Sequence, residues 1–397
     1  MSDVTVSRIG GPLAESLKIE FAERKGIGHP DTLIDGIVEN AGRSLAREYI
    51  NKTGSIQHYN IDKGLIVGGS SSVGFGHGSI KKKIEVIVAG RATAKIGPVN
   101  IPVNDIVMES AREFMESKTR FLDVENDVDF ISKLREGSSE LKGLFSHVRV
   151  PYANDTSFGI GFAPFTLLEK LVLDTEQYLN GNHYKRQAPE VGEDIKVLGV
   201  RNGKEISLTV AIAFVSKFIK NIEAYEKAKE RVEHDIMSRA KHVAGRGVTV
   251  KVNVGDEVEK GNIYLTATGL SCESGDDGEV GRGNRINGLI TPFRNMSLEA
   301  AAGKNPVNHI GKIYNVLARN VAEDCVKQYN DIAECKVAIV GEIGSRIDMP
   351  KVFQIEIGAD RKKFENIKGK LRYIADYHLE HICELSMEIT NGKYELF

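Results

Sequence analysis

Four stretches of this sequence gather charged, hydroxyl-bearing and small residues at spacings that could do chemistry. The first is Glu23-Arg24-Lys25-Gly26-Ile27-Gly28-His29-Pro30-Asp31, with Asp35 one helical turn later. It reads as a strand ending in two basic residues, a turn allowed by two glycines, and a helix that opens at Pro30. A helix N-terminus with cations beside it is a natural anion site. His29 stands at that mouth, able to donate to an oxyanion, and Asp31 lies in the first turn, where a carboxylate is electrostatically favoured. The same residues suit a plain helix start, with Asp31 as a first-turn charge and His29 as an exposed turn residue. The residues alone leave both readings open.

The second stretch is Asn154-Asp155-Thr156-Ser157, followed by Gly159 and Gly161. Such small polar groups bind a ribose, an amino acid or a metal, or simply cap a turn before a helix. The third, Gly192-Glu193-Asp194-Ile195-Lys196, enters a hairpin, and by itself reads as a solvated turn. The fourth runs from Gly275-Asp276-Asp277-Gly278 through Gly281-Arg282-Gly283-Asn284-Arg285 to Glu299 and Gly303-Lys304-Asn305-Pro306. Glycines let a backbone approach a ligand closely, arginines grip phosphate oxygens in pairs, and lysine supplies a point charge. Paired aspartates among such cations suggest a divalent metal that also touches phosphate; a disordered surface loop is the alternative. No G-x-x-x-x-G-K-[ST] or strand-to-helix G-x-G-x-x-G occurs. The segment GSSELKG at 137–143 offers Ser138, Ser139 and Lys142 as phosphate donors. No H-x-x-x-H pair provides a zinc site.

The elements that must position these residues alternate between extended runs and amphipathic helices. A strand near residue 20 precedes a helix over 30–50, in which Leu33, Ile34, Ile37, Val38, Ala41 and Leu45 recur at three- and four-residue steps. Strands at 65–71 and 83–93 precede a helix beginning at Val103. The order then recurs, with a helix ending near Leu179, a hairpin turning at Asn202-Gly203, a helix carrying Ile222, Tyr225, Ala228, Val232 and Ile236 on one face, and strands at 248–254 and 263–269. A third round has a helix at 310–329, strands at 335–343 and 352–359, and a helix over 362–387. The expected class is α+β, as three similar units of mixed sheet and helices in a pseudo-threefold arrangement. The units would fall near 1–150, 151–260 and 261–397, with the true domains interleaved along the chain.

Length and composition agree with a soluble globular protein of two or three domains. The chain has 397 residues, 41% hydrophobic and 27% charged, with a net charge of −2. That balance argues against non-specific nucleic-acid binding but permits a local basic pocket. Cys272, Cys325, Cys335 and Cys383 form no C-x-x-C spacing, so neither a disulfide framework nor a zinc ribbon is expected. The N-terminus lacks a secretory pattern and no apolar run spans a bilayer, which points to the cytoplasm and away from membranes.

Taken together, GIGHPDTLIDG, LIVGGSS, YANDTSFGIGFAP and GDDGEVGRGNRINGLITPFRNMSLEAAAGKNPVNHIGKIYN resemble the S-adenosylmethionine synthetase family, most closely its archaeal branch, over nearly the whole chain. The resemblance implies three similar α+β domains, Mg²⁺, K⁺ in many members, and a homodimer with active sites between subunits. It makes His29 similar to the histidine near the oxygen that leaves C5′, and Asp31 to a magnesium ligand. Asp155 and Asp276 look like aspartates on the methionine side. Asp194 and Lys196 look like the pair at the adenosine and reacting centre, and Arg282 and Lys304 like triphosphate-gripping cations. Bacterial members carry other residues where this sequence has Thr32, Ser70, Gly283, Asn308 and Ile310. Arg24, Lys25, Arg285 and Lys312 are the candidate substitutes.

The implied reaction joins the sulfur of methionine to C5′ of ATP and expels the triphosphate, which is then hydrolysed to diphosphate and phosphate. A thioether carries no proton, so its attack needs no general base. Catalysis reduces to positioning and stabilisation of the departing charge, which calls for cations, a metal and a donor near the leaving oxygen. The rivals are another Mg²⁺-dependent ATP-using ligase or kinase, which would leave ADP or AMP, and a non-catalytic nucleotide-binding module.

Overall fold

The computed structural model describes residues 4–137, 150–245 and 247–397. Its helices begin and end where the side chains dictate. Pro30–Thr53 opens on a proline whose missing N–H costs nothing in the first turn, has His29 as its N-cap, and closes on Gly54 at φ 77°. The apolar residues spaced by threes and fours are all fully buried. Leu167–Asn180 starts with a reciprocal capping box between Thr166 and Glu169.

A single order of elements recurs three times. In the first round, helix Pro30–Thr53 leads to antiparallel strands Tyr59–Val67 and Ile84–Ala92, then helix Val103–Lys118, then Val128–Arg135 parallel to Ile84–Ala92. In the second, helix Leu167–Asn180 leads to Val191–Asn202 and Glu205–Val215, then helix Ile222–Ala244, then Val248–Val252 parallel to Glu205–Val215. In the third, helix Ile310–Gln328 leads to Glu334–Val340 and Val352–Gly358, then helix Arg361–Glu380; here the parallel strand is supplied by the N-terminus, Val4–Arg8. Each sheet gains its remaining edge from another round: Gly278–Glu279 on Tyr59–Val67, Ile19–Lys25 on Val191–Asn202, and Phe158–Ala163 on Glu334–Val340. The class is therefore the expected α+β with mixed sheets, and its sheets are built from interleaved stretches of chain.

One face of each sheet is packed by its helices, and the residues pointing into that layer form the core. The opposite faces stay half-covered. Leu65, Phe21 and Leu198, and Phe158 and Val352, each on the uncovered side of one sheet, are between 36% and 43% exposed.

Several local expectations shift. Asn202 pairs with Glu205, so the hairpin turns at Gly203-Lys204, one residue later than expected, with Gly203 supplying the positive φ of 60°. Of the strand expected at 263–269 only Leu265–Thr266 pairs, because the chain there bends to satisfy polar groups of the following loop. The last helix breaks at His381 into Arg361–Glu380 and Ile382–Thr390.

Candidate functional site

Strand Ile19–Lys25 runs antiparallel to Val191–Asn202 with Lys25 opposite Lys196. Beyond Lys25 the chain turns while still lying on the neighbouring strand. Gly26 N–H donates to the Ile195 carbonyl (2.6 Å) and Gly28 N–H to that of Glu193 (3.1 Å). A Cβ on Gly28 would sit 2.4 Å from the Glu193 carbonyl carbon, so the close approach requires glycine. His29 follows as the N-cap, its Nδ1 accepting the Asp31 N–H at 3.2 Å. With Nδ1 as acceptor, the neutral ring carries its proton on Nε2, which is then the free donor.

The glycine-rich loop lies across this helix start. Asp31 accepts from Glu279 N–H (2.9 Å) and from Lys25 Nζ (2.7 Å), and Lys25 also donates to the Arg282 carbonyl (2.9 Å). Asp35 accepts from Gly281 N–H at 2.9 Å, and burial pushes its pKa up to about 7. Gly68 N–H donates to Asp277 (2.8 Å) and Gly69 N–H to the Cys272 carbonyl (2.8 Å), which brings the LIVGGSS segment to the same loop.

Asp194 is buried beside this mouth. It accepts from Ser271 N–H (3.1 Å) and lies 3.4 Å from the Tyr264 hydroxyl. Burial raises its pKa, opposed by His29 and reinforced by Asp276, whose carboxylate accepts from Ser271 Oγ at 2.8 Å. Lys196 reaches out half-exposed, 3.3 Å from Glu23, and Arg282 is exposed. The structure thus gathers His29, Asp31, Asp194, Lys196, Asp276 and Arg282 around one helix start. The reading of Gly192–Lys196 as a solvated turn is overturned: Val191–Ile195 are all buried, in a strand.

Asp155 and Lys304 belong to a second constellation. Asp155 accepts the N–H of Thr156 (2.8 Å) and leads into a strand rather than a helix. Its other oxygen lies 3.6 Å from His309 Nε2. Lys304 is held between Asp62 and Glu299, the latter at 2.7 Å. Burial alone would raise the Asp62 carboxyl, but the Lys304 ammonium outweighs it and holds the pKa at about 2. Burial and the Lys304 charge push His309 down to about 3, so its imidazole is neutral. Asn154 Oδ1, both amide atoms of Asn308 and His309 Nδ1 are buried without a hydrogen-bond partner among the described residues. Such orphaned polar atoms are open to hydrogen bonds from a polar ligand.

Ser138, Ser139 and Lys142 lie outside the described residues. Of the candidate substitutes, Arg24 is buried against Glu176 and the Gly288 carbonyl. Lys312 is buried against Glu39 (2.7 Å) and the Lys304 carbonyl (2.8 Å). Both are structural. Arg285 donates to the carbonyls of Gly281, Gly283 and Ser297, and so braces the glycine-rich loop. Lys25 alone of the four stands at the mouth. Asp62, His309, Ser271 and Tyr264 were not singled out from the sequence. His309 follows the GKNP motif closely enough to have been found; Asp62 sits at an irregular step of strand Tyr59–Val67 and carries no local signal.

A helix start with an imidazole N–H donor, flanked by lysines, an arginine and buried carboxylates on an interleaved α+β frame, is the layout of an enzyme site suited to a polyanion beside a polar organic ligand. The chain belongs to the S-adenosylmethionine synthetase (AdoMet synthetase) family, whose family model matches residues 2–393. It is 46% identical over 390 residues to the S-adenosylmethionine synthase of Saccharolobus solfataricus, covering 96% of both chains. It is 45% identical over 389 residues to that of Sulfolobus acidocaldarius, again covering 96% of each. The fold resembles the solved structure of an unusual S-adenosylmethionine synthetase from Campylobacter jejuni, with a TM-score of 0.55 at 14% identity over 93% of each chain.

Proposed function

We infer that this chain makes S-adenosylmethionine from ATP and L-methionine by attack of the thioether sulfur on C5′, releasing phosphate and diphosphate. Family membership over nearly the whole chain carries the reading, and the His29 mouth gives it a chemistry. As the triphosphate departs, charge grows on the oxygen leaving C5′. His29 Nε2–H donates to that oxygen, and Lys196, Arg282 and Lys304 hold the phosphate charge. Asp155, Asp194 and Asp276 bind methionine and the nucleoside, where carboxylates suit an ammonium, ribose hydroxyls and the positive sulfur that forms.

Asp31 is the residue we assign to Mg²⁺. Each of its oxygens accepts one hydrogen bond and keeps a lone pair. Among the described residues no cluster of three or more His, Cys, Asp or Glu could hold a metal. That fits magnesium, which binds through one or two carboxylates plus substrate phosphates. When bound, the ion neutralises phosphate charge and lowers the cost of hydrolysing the triphosphate. K⁺ is a further expected cofactor.

The working form is proposed to be a homodimer with sites at the subunit interface. The half-covered sheet faces and the orphaned polar atoms around Asn308 support it. No helix among the described residues is long and apolar enough to cross a membrane, and the buried thiols of Cys272, Cys325 and Cys335 suit a reducing cytoplasm. The test is incubation with ATP, methionine and Mg²⁺, with K⁺ present or replaced by Na⁺, followed by mass detection. S-adenosylmethionine with phosphate and diphosphate is the expected result; ADP, or AMP with an activated acid, would overturn the reading.

A further inference from the structure

Asp194 reaches the site from an irregular piece of strand. Val191 is opposite Phe214 and Ile195 opposite Ile212, so the chain takes four steps where its partner takes two, and Gly192, Glu193 and Asp194 bulge out of the ladder. A bulge strips carbonyls of their ladder partners, and something else must hold them. Lys185 Nζ donates to the carbonyls of Val191 (3.0 Å) and Gly192 (2.5 Å). Arg120 Nη2 donates to the Val191 carbonyl at 2.6 Å, while its Nε pairs with the Glu193 carboxylate. Asn180 Nδ2 shares the Glu193 carbonyl with Gly28 N–H, both at 3.1 Å. A Cβ at Gly192 would meet the Ala213 carbonyl oxygen at 2.3 Å, so the bulge closes only over glycine. Glu193 is thereby turned to Arg120, and Asp194 to Ser271 and Tyr264.

Holding a strand this way is costly. The Lys185 ammonium is buried and satisfied by two carbonyls, with no carboxylate within ion-pair distance among the described residues. Burial pushes its pKa down to about 7. A hydrophobic side chain of the same length would spare that desolvation. The clamp sits on the two carbonyls that precede Glu193-Asp194, so besides satisfying them it fixes where Asp194 leaves the strand.

We propose that Lys185 and Arg120 are positioning residues for the reaction: they fix the bulge that aims Asp194 at the reactants. The proposal rests on the reading that Asp194 contacts methionine or the nucleoside. The test is a double-mutant cycle for S-adenosylmethionine formation among wild type, Lys185→Met, Asp194→Asn and the double variant, with kcat and the methionine KM measured separately beside a melting curve. Lys185→Met should lower kcat/KM by about ten- to a hundredfold, as a misplaced group does, a larger loss than the accompanying fall in melting temperature from the unpaired carbonyl explains. In the Asp194→Asn background the same change should cost almost nothing more, because the residue it positions has already lost its charge. Equal losses in both backgrounds, or activity lost only in step with the melting temperature, would overturn the proposal. Arg120→Gln, at a partly exposed side chain, repeats the cycle and decides the matter if Lys185→Met does not fold. A wild-type enzyme that forms no S-adenosylmethionine would instead sink the activity on which the proposal rests.

Discussion

His29 caps its helix with one nitrogen, and that bond selects the tautomer that leaves the other nitrogen to donate. His29→Ala should therefore lower turnover by about a hundredfold or more, the usual loss for an oxyanion donor, with methionine binding nearly unchanged; near-normal turnover would remove His29 from the mechanism. Asp31 keeps a first-turn carboxylate beside Lys25. Asp31→Asn should collapse activity at ordinary Mg²⁺ and recover part of it at much higher Mg²⁺. An unchanged magnesium midpoint with a lowered melting temperature would make Asp31 a helix-start charge only. His309 gives a pH signature. Its folded pKa, about 3 against 6.5 when free, means the unfolded chain binds the extra proton first. Stability is then full above pH 6.5 and is lost as pH falls toward 3, by roughly 5 kcal/mol over the whole window. His309→Gln should flatten the pH dependence of the melting temperature in that range; a curve parallel to wild type would show that other groups carry the acid sensitivity. His29 and Asp31 were legible in the sequence because Gly28 and Pro30 announce a helix start. Asp194 was legible only through the family resemblance, and its own segment reads as a solvated turn, because its burial depends on a bulge braced by Lys185 and Arg120 from elsewhere in the chain.

The turn Gly26–Gly28 shows how an element sets a site. It can rest on Val191–Asn202 only because Gly28 has no Cβ to strike Glu193. Gly28→Ala should lift the turn from that strand, separate His29 from Asp194, and destabilise by about 1–3 kcal/mol or more in urea unfolding, with a larger fall in S-adenosylmethionine formation than the stability loss explains. Wild-type activity with wild-type stability would mean the backbone relaxes freely and the contact is incidental. Most helices and hairpins of the three rounds were readable, because periodicity is local: Leu33 to Leu45 mark one face whatever packs on it. The strand expected at 65–71 instead lies at Tyr59–Val67, and Ser70–Gly74 pairs in a separate hairpin beyond Gly68-Gly69. Which strand lies beside which was not. Ile19–Lys25 alternates like any strand, yet it pairs in the second sheet while the helix it enters packs on the first. Val4–Arg8 closes the third sheet from the far end of the chain. These pairings are settled by packing between distant segments. The short strand Leu265–Thr266 was over-read for a related reason: Glu273 takes the Ala267 and Thr268 N–H groups that a longer ladder would need.

Across the molecule, one helix serves both constellations. Pro30–Thr53 starts at the His29 mouth, and two turns further on Glu39 holds the Gly303 N–H (3.1 Å) and Lys312, fixing the loop that carries Lys304. Yet no hydrogen bond or ion pair among the described residues joins Asp155, His309 or Lys304 to His29 or Asp194. In the proposed homodimer, a site that uses both groups would take the mouth from one chain and the Lys304 group from its partner. The uncovered faces around Leu65, Phe21 and Phe158 offer area for that pairing. Mixing distinguishes this from a site within one chain. His29→Ala and Lys304→Ala proteins should each be nearly inactive alone. After subunit exchange, a hybrid dimer would carry both lesions in one site and leave the other intact, so random mixing should restore about a quarter of wild-type activity. If both residues serve one site from the same chain, every site in the hybrid keeps one lesion and nothing returns. Exchange is checked by native mass spectrometry of the mixture, so that a failure to recover activity in proven hybrids counts against the shared site. A fully active monomer in sedimentation would end it.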